Sequence, residues 1–129
     1  MKTRLNVRFF GALFVSLLLI TQAQAKEIQN NFFVDLLILQ EGKTLVDAER
    51  YFNKVAPIAA RHGLVRIHDF SVSAVFSGDA KPDLANLWTM AHANVFKDIN
   101  ADPEYKEMIP IRNRLFDMKK SAMYLLDQP

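Results

Sequence analysis

Cysteine is absent from the chain, which excludes disulfides, thiolate metal sites and a lipid-bearing cysteine. Glycine is scarce, at 4 of 129 residues. Phosphate-cradling loops, dinucleotide fingerprints and nucleophile elbows all need closely spaced glycines, and none of those patterns occurs. There is no internal repeat and no low-complexity tract. There is also no long hydrophobic run. The longest, Phe9 to Ile20, falls short of the ~20 residues a helix needs to span a bilayer.

That run sits inside a three-part N-terminus. Lys2, Arg4 and Arg8 are unaccompanied by any acid, the apolar run follows, and Ala23-Gln24-Ala25 supplies a small-x-small step before Lys26. The pattern is that of a removable secretory signal over residues 1–25, with the periplasm as the expected destination. Residues 26–31 are polar and are expected to form a flexible lead-in to one domain over residues 32–129. All 14 Asp and Glu residues lie after residue 25, so loss of three of the 16 basic residues leaves the two signs nearly balanced. Without a basic stripe the domain is a poor partner for nucleic acid, where charge dominates affinity. No membrane attachment is expected once the signal is gone. A domain of this size has a thin core, and dimerisation is a natural supplement.

Phe32 to Leu39 is a short apolar run holding one acid, Asp35, and reads as a buried strand. Gln40-Glu41-Gly42-Lys43 breaks it, and Thr44 with Asp47 makes a capping box for the next helix. Leu45, Ala48, Phe52, Val55 and Ala59 give that helix an apolar face. Pro57 is expected to kink or end it, and His62-Gly63 to stop it. Leu64 to Phe76 reads as a long strand whose alternation changes phase across His68-Asp69, the mark of a β-bulge. After the turn at Ser77 to Asp83, Leu84 to Met90 forms a third strand with Leu84, Asn86, Trp88 and Met90 on one side. Asn94 opens a short helix. Asp102-Pro103-Glu104 opens a stronger one, carrying Tyr105, Met108, Ile109, Leu115 and Phe116 on its apolar face and interrupted by Pro110. Ser121 to Leu126 closes the domain as a strand.

The element order β-α-β-β-α-β is the ferredoxin-like α+β arrangement, an antiparallel sheet with its helices on one face. Both sheet faces carry apolar residues, so the second face calls for cover. Two copies packed sheet to sheet, a homodimeric barrel, would provide it. The run Asp102-Pro103-Glu104-Tyr105 with Pro110-Ile111-Arg112, and the segment from Val55-Ala56-Pro57 to Gly63, resemble the family known as domain of unknown function 1330. That family lies within the dimeric α/β-barrel superfamily. The resemblance covers most of Phe32 to Leu126 and implies a site between sheet and helices. Superfamily relatives include cofactor-free quinol monooxygenases, haem-degrading enzymes and lactone isomerases.

Arg112 is the most informative residue. It lies seven positions after Tyr105, four after Met108 and three before Leu115, on the apolar face of the last helix. A guanidinium facing a core needs a partner, and Asp35 is the obvious one. Two readings follow: a clamp for a substrate carboxylate or enolate, or an internal Arg–Asp bridge. His68 beside Asp69 at the bulge, and His92 just past the third strand, are candidate general bases. Trp88 and Tyr105 are candidates for the wall of a flat ligand pocket. His62, His68 and His92 have no metal-site spacing, so no metal is expected.

Three functions fit these residues. The first is a small-ligand protein binding or turning over a hydrophobic organic anion without a cofactor, in monooxygenase-like or isomerase-like chemistry. The second is a non-catalytic dimeric interaction or stress module. The third is haem binding through His68 or His92.

Overall fold

The computed structural model describes residues 31–129. The export signal expected at residues 1–25, and all but the last residue of the expected lead-in, lie outside the described residues. The order is β1 (Asn31–Leu37), α1 (Leu45–Arg61), β2 (Leu64–Ser71), β3 (Leu84–Met90), α2 (Val95–Ala101), α3 (Pro103–Leu115) and β4 (Ala122–Leu126). The four strands form one antiparallel sheet in the order β2-β3-β1-β4. This is the ferredoxin-like α+β fold.

Each element begins where local chemistry starts it. The Thr44 hydroxyl accepts from the Asp47 amide at 3.3 Å, and the Asp47 carboxylate accepts from the Thr44 amide at 3.0 Å. Two donors that α1 cannot satisfy internally are thereby paired. Pro57 does not end α1, which runs on to Arg61. Asn53 and Pro57 both lie on the wet side of the helix, so water can take the carbonyl left without a donor. Pro110 is carried through α3 in the same way, with Lys106 exposed one turn earlier. Asp102 caps α3, its Oδ1 accepting from the Glu104 amide at 2.9 Å, ahead of Pro103 at the first helical position.

The end of α1 is tied to the start of α3. His62 Nε2 lies 2.7 Å from Asp102 Oδ2, and Arg61 donates to the same oxygen at 3.2 Å. These partners hold the Asp102 carboxyl well below its ordinary range, at about 2, His62 being the largest cause. Gly63 then turns into β2 with φ +91°. A Cβ there would lie 2.8 Å from the Ala91 methyl, so the close approach of the two strand ends needs glycine.

β2 departs from the expected long strand in two ways. It stops at Ser71, which pairs with Leu84 where β3 begins, and the Asp83 carbonyl takes one last bond from the Val72 amide at 2.9 Å. The Asp83 amide donates to Leu37 O at 2.8 Å and its carboxylate accepts from the Leu39 amide at 2.8 Å. With no ladder to join, Phe76 is fully exposed in the loop. The bulge also comes earlier than His68-Asp69. The register slips between Arg66 and His68, with Ile67 the extra residue. Leu64, Arg66, Asp69 and Ser71 therefore share the helix side, while Val65, His68 and Phe70 face away.

The core lies between the helices and one sheet face. Ala48, Tyr51, Phe52, Val55 and Ile58 of α1 pack with Met108 and Leu115 of α3 against Phe33, Leu37, Leu84, Trp88 and Met90 of the sheet. The other sheet face carries Val65, Phe70, Tyr124 and Leu126, which are 44 to 56 % exposed apart from Leu126 at 43 %. A sheet face this apolar and this open has no internal partner among the described residues.

Candidate functional site

A cavity of about 190 Å³ lies between α1, α2, α3 and the sheet. Its walls are mostly aromatic and aliphatic: Phe33 of β1, Phe52 and Val55 of α1, Trp88 of β3, Phe96 and Ile99 of α2, and Phe116 beyond α3. Polar groups enter from two sides. Asp35 rises from β1, while Tyr51 of α1 and Tyr105 and Arg112 of α3 approach from the helices.

Asp35 is 5 % exposed, which is rare for a carboxyl without a cation beside it. Its place follows from strand parity. Phe33, Asp35 and Leu37 alternate onto the buried side of β1, so the acid takes a core position. Two N–H donors replace water around it: Asn86 Nδ2 at 2.6 Å from Oδ1 and Trp88 Nε1 at 3.0 Å from Oδ2. Burial outweighs them and raises the carboxyl to about 6, with the two hydrogen bonds and the Arg66 charge pulling it down. A carboxyl at that value is mostly ionised at neutral pH yet takes up a proton readily, which suits a general base.

Arg112 stands on the other side. Its Nη1 donates to the Tyr105 hydroxyl at 3.2 Å, and its Nε and Nη2 both donate to Asn113 Oδ1 at 3.2 Å. No carboxylate lies in salt-bridge contact with Arg112 among the described residues. The internal Arg112–Asp35 bridge does not form, since each group has other partners. Tyr51 is buried between them. Burial pushes its phenol far up, so it stays protonated and available as a donor. Its hydroxyl has no hydrogen-bond partner among the described residues.

The four ligand candidates read from sequence, Asp35, Trp88, Tyr105 and Arg112, thus line one cavity. The two candidate bases lie elsewhere. His68 is on the open face of the sheet, its ring 5.9 Å from that of Phe70. His92 is in the loop after β3, where Nδ1 accepts from the Asn94 amide at 3.2 Å and Nε2 lies 3.8 Å from Asp98. No histidine lines the cavity, so a haem iron placed there would find no imidazole. Among the described residues no cluster of three metal-ligating side chains occurs.

Sequence reasoning missed Tyr51, Asn86 as a site residue, and Arg66. Tyr51 lies three residues after Ala48 and four before Val55, a spacing that puts it on the buried stripe of α1. Asn86 shares its strand face with Trp88, and a lone amide among apolar partners calls for a polar neighbour. Arg66 was obscured by the bulge that follows it.

No family model matches the chain, and no curated protein matches it. Solved structures do. A protein of unknown function from Rhodopseudomonas palustris aligns with a TM-score of 0.65 at 16% identity, over 86% of this chain and 92% of its own. A dimeric ferredoxin-like protein of unknown function from Thermobifida fusca gives 0.56 at 12% identity, over 77% and 91%. SnoaB, a cofactor-independent oxygenase from Streptomyces nogalater, gives 0.56 at 14% identity, over 78% and 94%. At these identities the likeness is one of fold, and it places the chain among ferredoxin-like α+β proteins whose neighbours include a dimer and an oxygenase that needs no cofactor.

Proposed function

We propose that the cavity binds a small, largely apolar organic acid, holds its anionic end on Arg112, and exchanges a proton with it through Asp35. The observation that carries this reading is the pairing of opposites across an apolar gap. Among the described residues, Arg112 is a cation without an acid in contact, and Asp35 is a buried acid without a cation in contact. An anion between them would satisfy the guanidinium, and the Tyr51 and Tyr105 hydroxyls can add hydrogen bonds to the same oxygen.

Size narrows the ligand. A cavity of ~150 Å³ lined by aliphatic and aromatic groups holds one benzene. At about 190 Å³ this one has room for a single ring with a short acidic arm.

The chemistry is proton abstraction next to a carbonyl or on a phenol. The proton goes to the Asp35 carboxylate, and the electron pair stays on the substrate as an enolate or phenolate whose oxygen faces Arg112. Return of the proton to a different carbon gives an isomerase. Transfer of electrons from that anion to dioxygen forms a C–O bond and a peroxide; breakage of the O–O bond with loss of water then leaves a new carbonyl on the substrate and gives a cofactor-free monooxygenase. The oxygenase among the structural neighbours supports the second route.

The finer placement belongs to the same reading. We assign the chain to the domain of unknown function 1330 family on its Pro103-Glu104-Tyr105 and Pro110-Ile111-Arg112 run, to the periplasm on residues 1–25, and to a homodimer on the apolar face bearing Phe70 and Tyr124. The dimeric neighbour supports the last point.

The test is a thermal titration with benzoate, phenylacetate and 4-hydroxybenzoate, with benzyl alcohol as the neutral control. Ligand at ~100 times its Kd adds about 2.7 kcal/mol, a shift of several degrees for a domain of this size. The acids are expected to raise the Tm of the native protein, and Arg112→Met to abolish the response. If no acid shifts the Tm, or the variant responds as fully as the native chain, the reading fails. Deuterium exchange into an acidic C–H of a bound acid, lost in Asp35→Asn, tests the proton step.

A further inference from the structure

Asn86 is 1 % exposed, and its amide has two ways to sit, with Oδ1 and Nδ2 exchanged. Its neighbours decide between them. Arg66 carries donors only, and its Nε lies 2.8 Å from Oδ1. The oxygen must therefore face Arg66, which leaves Nδ2 facing Asp35 at 2.6 Å. In the reverse setting two N–H groups would oppose each other on one side. On the other, a carbonyl would oppose a carboxylate, a contact tolerable only with Asp35 protonated.

Arg66 is itself immobilised. Its guanidinium lies 4.4 Å over the Phe52 ring, a wall of the cavity, and its Nη2 is 3.5 Å from Asp69 Oδ2. The bulge after Arg66 is what brings Asp69, three residues on, to the same face. The other charged or titratable groups facing Asp35 are Tyr51 from α1 and Tyr105 and Arg112 from α3. β4 and α2 present only Met123, Phe96, Ile99 and Asn100.

We propose that Arg66 is a positioning residue of the cavity: by fixing which way the Asn86 amide points, it keeps Asp35 supplied with two N–H donors and so available as a proton acceptor. This rests on the reading of Asp35 as the proton acceptor. It gives the β2 bulge a role in the site although no bulge residue lines the cavity.

The experiment is an NMR pH titration of the Asp35 side-chain carbonyl carbon in the full, ligand-free chain. Arg66→Lys keeps a donor-only cation and is expected to titrate near the native midpoint. Arg66→Met is expected to move the midpoint upward by about one pH unit, a tenfold change in proton affinity. Asn86→Ala is expected to move it similarly, and the double variant by clearly less than the two shifts summed, because both changes break one chain of contacts and only the direct charge of Arg66 on Asp35 adds to it. Shifts that simply add would show Arg66 acting on Asp35 through space, and an unshifted Arg66→Met would remove the effect altogether; either result overturns the proposal. A readout on the native chain guards against variants that do not fold. The Asn86 amide protons should show coupling across the hydrogen bond to the Asp35 carbonyl carbon, and an amide found the other way round refutes the lock. None of these measurements involves a ligand, so a cavity that binds no acid leaves their outcome intact.

Discussion

Replacing Asp35 by Asn should change how stability depends on pH more than it changes stability at any one pH. The folded carboxyl titrates at about 6 against 3.8 for the free side chain, because burial disfavours the charge. The folded state therefore binds this proton more tightly than the unfolded chain does. Stability from that binding is fully present below about pH 4 and is lost as pH rises through 6. Two units at 1.36 kcal/mol each make the loss about 3 kcal/mol between pH 3.5 and 7. The amide has nothing to titrate, so the variant lacks this slope. At fixed pH the comparison is less clean, since an amide has one acceptor where the Asn86 and Trp88 N–H groups need two, and one donor is left opposing another. Urea unfolding of both proteins at intervals from pH 3.5 to 7.5 isolates the effect, because every other carboxylate is common to the two curves. The expected difference curve bends around pH 4–6 and changes by about 3 kcal/mol. A difference flat to within ~0.5 kcal/mol would show that Asp35 is not held as a buried, proton-hungry acid.

Gly63→Ala should be among the most damaging small changes in the domain. The positive φ costs a non-glycine residue about 1–2 kcal/mol, and the added methyl would meet Ala91 at 2.8 Å. A Tm lower by roughly 10 °C in a thermal melt is expected, and a loss under ~2 °C would mean that the α1–β2 turn relaxes freely. Phe70→Arg places a charge on the apolar open face, where Phe70 is 56 % exposed on the edge strand β2, and should convert a dimer to a monomer in light scattering without lowering helix content. A monomeric native protein would contradict the sheet-to-sheet pairing. Asp102→Asn removes a carboxyl held at about 2, chiefly by His62. Its folded value is depressed, so the stability it adds is present above pH 4 and lost as pH falls toward 2. The variant should lower the Tm at pH 7 and lose that acid-side slope, and an unchanged melting profile would deny the α1–α3 tie.

The fold was legible because each kind of element carried its own signal. Thr44 with Asp47, and Asp102 with Pro103, marked the starts of α1 and α3, and strand parity marked the faces of β1 and β3. The same parity put Asp35 and Trp88 on the buried side, and helical spacing put Tyr105 and Arg112 there, which is why all four line one cavity. The reading failed where a residue's surroundings come from distant chain. Asn53 and Lys106, one turn before Pro57 and Pro110, are polar, but only the folded helices show that the carbonyls freed there face water. β2 ends where β3 begins, at Leu84, beyond which Asp83 gives its carbonyl to Val72 but its amide and carboxylate to Leu37 and Leu39. Placing the bulge late exchanges only Ile67 and His68 between faces and leaves Arg66 and Asp69 on one side, so what the sequence did not show there was the contact between them.

The bulge ties both halves of the molecule to one local event. Were Ile67 paired in regular alternation, His68 and Phe70 would follow Arg66 onto the helix side, and Asp69 would face away. Because Ile67 is unpaired, the helix side gains the carboxylate that steadies Arg66, and the open face gains Phe70 for an apolar contact. Deleting Ile67 removes only the unpaired residue, so the Arg66–Trp88 and His68–Leu87 pairs become consecutive and every later side chain keeps its face. Asp69 stays beside Arg66 and Phe70 stays on the open face, so the Asp35 midpoint and the pairing of two copies are both expected to stay near native. Both can be followed in one protein, by titration and by light scattering. A folded deletion variant that moves either one would show that the faces of β2 are not set by which residues pair, and would refute the assignment of Ile67 as the extra residue.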